Sequence, residues 1–145
     1  MNKTLIIGGL VAWSILGCIG VSRGNDVASQ PRLEKLQADA VPGLRHAVAD
    51  AAGYKLADIV VKVSAHVVTI TVVNSKLNSA GSLERKDEAS VIATAIARVL
   101  ADKPEFADIM MIHVDYVKRR GNHDDVIHGL DFNKNPAGGF SPHVT

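Results

Sequence analysis

Apart from Cys18 the chain has no cysteine, and aromatic residues make up only 4% of it. A single thiol closes no intramolecular disulfide and builds no cysteine zinc cluster, so neither device staples this fold. So few aromatic rings leave little material for a sugar-stacking groove or a platform that stacks several bases. Charge of one sign is also missing: 16 Lys and Arg face 15 Asp and Glu, a formal net charge of +1. That balance supplies no general attraction to a polyanion, and nucleic acid is excluded as the expected partner. The glycines form no strand-to-helix phosphate cradle, so neither a dinucleotide fingerprint nor a P-loop is present. With 145 residues and 47% hydrophobic content, the length suits one domain with one modest core.

Long apolar runs are confined to the start. Lys3 precedes an uncharged stretch from Thr4 to Ser22, richest in LIIGGLVAWSILG. A short basic end before a brief apolar segment reads as an export leader. Its end, Ile15 to Cys18 (ILGC), resembles the lipobox of bacterial lipoproteins, with small Gly17 before the cut and Ile15 where leucine is commonest. The resemblance implies cleavage before Cys18, lipid attachment at Cys18 and a membrane-held protein of the bacterial cell envelope, facing the periplasm. An ordinary secretory signal and an uncleaved N-terminal helical anchor are the alternatives. The expected division is a leader over 1–17, a flexible tether over 18–30 and a single domain with a turn-rich tail over 31–145. Cleavage would leave 128 residues with zero formal charge, because Lys3 departs with the leader.

Within the domain, Pro31 can open a helix, and Leu33, Leu36, Ala40, Leu44, Ala47, Val48 and Ala51 recur at helical spacing. Pro42 and Gly43 predict either a kink or a break into two helices, and Gly53 a stop. IVVKVS and VVTITVVNS then alternate as a hairpin, with Ile59, Val61, Val63, Val68, Ile70 and Val72 inward and Lys62, Thr69 and Thr71 outward. Ser82 is the expected cap of a second helix. Beyond it, Met110, Ile112, Val114 and Tyr116 share one strand face, and Ile109, Met111, His113, Asp115 and Val117 the other. Val126, His128, Leu130 and Phe132 alternate in the returning strand. The order α-β-β-α-β-β predicts an α+β two-layer sandwich, a four-stranded antiparallel sheet with both helices on one face.

The second sheet face mixes Lys62, Thr69, Thr71, His113 and Asp115 with Val67, Val73, Ile109, Met111 and Val117. So much apolar surface calls for a cover, either a homodimer partner or another envelope protein. The leading expectation is a non-enzymatic binding or assembly domain without a cofactor. The alternative is a small histidine-based or metal-dependent hydrolase around His113, Asp115, His123, Asp124, Asp125 and His128. Carboxylates and imidazoles in HDDVIH could supply metal ligands, although strict strand alternation would set His123 and His128 on opposite faces. An imidazole beside a carboxylate can serve as a general base, but no serine sits in a distinctive nucleophile turn.

Overall fold

The computed structural model describes residues 26–143 except residue 65, with side chains from Gln30 onward. Cys18, the leader and most of the expected tether lie outside the described residues. Helix α1 (Asp26–Ala52) runs as one helix through Pro31 and Pro42, and its first turns take in the last residues of the stretch read as tether. Pro31 is thus inside the helix instead of opening it. Pro42 does not end the helix, because Leu44 and Val48 beyond it are fully buried and hold it on the sheet. The buried stripe begins at Gln37, whose Nε2 donates to the Glu105 carbonyl at 2.8 Å, whereas Leu36 is left 45% exposed. Gly53, at φ +72°, ends α1 with its N–H bonded to the Ala49 carbonyl at 2.8 Å.

Strands β1 (Ile59–Ser64) and β2 (Val67–Val73) form the expected hairpin, with Val61 opposite Ile70 and Lys62 opposite Thr69. A 3₁₀ turn at Lys76–Ser79 follows, capped by Ser75 Oγ, which accepts from the Leu77 N–H at 3.0 Å. Helix α2 (Ser82–Ala101) has Gly81 as its N-cap, so Ser82 is the first helical residue and not the cap. Small Ala89 and Ala93 beside Ile92, Ile96 and Leu100 allow a close approach to the core. Strands β3 (Met111–Arg120) and β4 (His123–Lys134) make the second hairpin, and Gly121 at φ +61° opens its two-residue loop.

The α+β class and the helix-covered face match expectation; the strand arrangement does not. The sheet has five strands in the order β1-β2-β3-β4-β5, and β2 and β3 run parallel. The reason is the length of α2. A helix of 20 residues carries the chain back to the end where β2 began, so β3 must start beside it in the same direction. The fifth strand, β5 (Phe140–Pro142), comes from the tail. Asn135 organises its turn: its Oδ1 accepts from the N–H groups of Ala137 and Gly139, and Phe140 packs against the core.

One cluster gathers Leu44 and Val48 of α1, the inner side of α2 and the inward residues of β1 to β4. Ile109 also belongs to it, 1% exposed, because β3 begins only at Met111. Val73 and Val117 are 3% exposed, so the second sheet face carries less bare apolar surface than the sequence suggested. A β-bulge changes the parity of β4: Tyr116 faces His128 but Val117 faces Val126, which makes Ile127 an extra residue. Val126 therefore leaves the face of His128, Leu130 and Phe132 and stands 64% exposed on the other. Among the described residues, no helix is long and apolar enough to cross a membrane.

Candidate functional site on the open sheet face

Alternation in β2 and β3 turns Thr69, Thr71, His113 and Asp115 away from the helices, and their register sets them in rows across the sheet. One row reads Lys62, Thr69, His113, Asp131 from β1 to β4; the next reads Val60, Thr71, Asp115, Gly129. All five surface residues expected from the sequence therefore share one face, and the structure adds Asp131.

His113 is held on both sides. Its Nδ1 lies 2.5 Å from Asp131 Oδ1 and its Nε2 lies 2.8 Å from Asp115 Oδ1. With both ring nitrogens protonated, each donates to a carboxylate. Partial burial opposes the charge on the ring, but the hydrogen bonds to Asp131 and Asp115, and then their charges, outweigh it and raise the His113 pKa. Gly129 makes room for the cluster: a Cβ there would come within 3.0 Å of Asp115 Oδ1 and 3.1 Å of His113 Cε1, so those side chains would have to shift. Asp131 was missed because it is 18 residues from His113, and only the β3–β4 register makes them neighbours.

The HDDVIH segment is arranged differently. Asp124 forms a two-pronged pair with Arg119, at 2.7 and 2.8 Å, and Arg119 holds the Asp124 carboxyl below its ordinary pKa through those bonds. Arg119 is in turn seated by Asn74, whose Oδ1 accepts its N–H at 2.9 Å; Asn74 itself adopts φ 54°. His123 lies 2.9 Å from Asp125, which also faces Arg120 at 3.7 Å. The bulge removes the parity objection, since His123 pairs with Arg120 and His128 with Tyr116, which lie on the same side of β3. Four residues of strand still separate them, roughly 13 Å. Among the described residues, no three His, Cys, Asp or Glu side chains gather as a metal site.

A second polar network sits under the helices. Tyr54 Oη donates to Glu88 Oε1 at 2.6 Å and lies 2.5 Å from Ser75 Oγ, while Tyr116 Oη lies 3.2 Å from both Glu88 Oε1 and the Arg85 carbonyl. Burial, and then the Glu88 carboxylate, push both phenol pKa values up. Neutral phenols that share one carboxylate tie the segment after α1 to α2 and β3. A half-open cavity of about 600 Å³ lies between the end of α2, a 3₁₀ turn at Pro104–Phe106 and the β4–β5 turn. Its two lysines are turned to protein partners, Lys134 to the Ala107 carbonyl at 2.9 Å and Lys103 to Glu105 at 3.8 Å.

Against known proteins, the chain matches no family model, no curated protein and no solved structure.

Proposed function

We propose that this chain is an exported, lipid-tethered binding or assembly domain that works without catalysis, presenting the open sheet face to a partner in the bacterial cell envelope. The observation that carries this reading is the double restraint of His113. With a carboxylate at hydrogen-bond distance on each ring nitrogen and the ring's pKa raised, neither nitrogen offers a free lone pair to take a proton from a nucleophile, and its hydrogen-bond partners are the two carboxylates. A recognition surface, by contrast, gains from fixed side chains, because a partner then pays little to order them. Cys18 supplies the tether and the apolar leader the export signal.

Two measurements test this reading. Intact mass of the membrane-fraction protein should show a lipid-sized increment that Cys18→Ser abolishes together with membrane retention; unchanged mass and retention would remove the tether from the proposal. A panel of ester and phosphoester substrates should give no turnover above that of His113→Gln. Turnover that the variant loses would establish the hydrolase instead.

A further inference from the structure

The open face is complementary to itself. A two-fold axis parallel to the strands, in the plane of contact and between β2 and β3, exchanges β1 with β4 and β2 with β3 while leaving each row opposite its own copy. The row of Lys62, Thr69, His113 and Asp131 then places Lys62 of one molecule over Asp131 of the other, twice. In the next row Val60 falls over Gly129 and Thr71 over Asp115. On the other side of the charged row, Val67 meets Met111 beside the axis. Charge meets opposite charge and apolar meets apolar under a single operation. Aligned strands also suit the roughly 30° angle at which twisted sheets stack.

We infer that the partner of this face is a second copy of the chain, packed sheet to sheet about that axis. This rests on the reading of the face as a binding surface and names its occupant. The electrostatics favour it in one further way. Asp115 and Asp131 share the single cation of His113, so the middle of the face keeps an excess of negative charge that the partner's Lys62 offsets. Four strands by about six residues cover roughly 400 Å² on each copy, about half the share of a standard stable interface. Such a dimer is weak between free molecules and strengthened when both copies are held on one membrane, where the tether raises their effective concentration.

The test uses a zero-length carbodiimide, which couples an amine to a carboxylate only in direct contact. Lys62 and Asp131 of the same chain are three strand spacings apart, roughly 14 Å, so their coupling reports on two molecules. Treated membranes carrying the full chain should give a dimer band containing a Lys62–Asp131 cross-linked peptide. Lys62→Glu alone and Asp131→Lys alone should each reduce that band at least tenfold. Co-expression of the two variants should restore it, with one 62–131 contact joining Lys62 to Asp131 and the other carrying exchanged chemistry, which a variant that had merely lost its fold could not do. Failure of restoration, or a dimer coupled only through other residues, would overturn the two-fold packing. Coupling of Lys62 to a different protein would overturn the second copy but keep the binding face. If Lys62 couples to nothing on the membrane, the binding-face reading falls as well.

Discussion

The two faces of this sheet place a carboxylate among hydrogen-bond donors in opposite proportions. Under the helices, one carboxylate, Glu88, receives two tyrosine hydroxyls, and the neighbouring inward residues Ile70, Val72, Val114 and Tyr116 are fully buried. On the open face, one imidazole donates to two carboxylates, and its side chain keeps 29% of its exposure. The covered network sets two neutral phenols on one carboxylate, with the Arg85 guanidinium near enough to act on Tyr116. The open cluster is unbalanced, with one cation between two anions and carboxylate oxygens still facing outward. Enclosed polar groups must satisfy one another because water cannot, whereas a surface cluster can keep charge to offer a partner. Stability should therefore reside on the covered side, and the open side should tolerate change.

The sharpest way to break that comparison uses two neighbouring residues of β2. Ile70 points inward and is fully buried, whereas Thr69 points outward and is half-buried. Ile70→Ala should lower unfolding free energy by about 2–5 kcal/mol, and Thr69→Ala by no more than about 0.5 kcal/mol. Urea titrations of both variants check this, and similar midpoint shifts would mean that the open face is already covered within the single chain. A smaller loss, about 1 kcal/mol, is expected for Tyr116→Phe, which keeps the ring's packing and removes only the hydroxyl shared between Glu88 and the Arg85 carbonyl. A loss near that of Ile70→Ala would show that the tyrosine tie, and not apolar burial, dominates this side.

How much of this was legible follows from the range of each signal. Alternation is local, so IVVKVS and VVTITVV gave the β1–β2 hairpin with its two faces, and the same rule placed His113 and Asp115 on one face. The parallel pairing of β2 with β3 was hidden because both hairpins look alike in sequence, while the direction of the second depends on where α2 returns the chain. The bulge at Ile127 was hidden too, and with it the placement of Val126, since an extra residue in a strand carries no apolar period of its own. Asp131 could have been found only by pairing β4 against β3 outward from the Gly121 loop and then correcting for that bulge. Ile109 was misplaced because alternation was continued past the start of β3 into a segment where the backbone has no sheet period.

The mildest test addresses the charge of the open cluster. The pKa of His113 is raised in the folded protein, whereas an unfolded histidine titrates near pH 6.5. Folding therefore favours the protonated ring. The stabilisation is fully present below about pH 6.5 and is lost as pH rises through the higher folded value. His113→Asn lacks this linkage at every pH. The wild type should thus exceed the variant by most near pH 6, by no more than about 1 kcal/mol given the exposure of the cluster, and the gap should narrow toward pH 9. Urea midpoints of the two proteins across that range measure it directly. A constant gap would mean that His113 acts through packing alone, and a gap that widens with pH would mean that the folded protein prefers the neutral ring. In either case Asp115 and Asp131 would not be holding a cation between them, and the contrast between the network under the helices and the charged cluster on the open face would lose its basis.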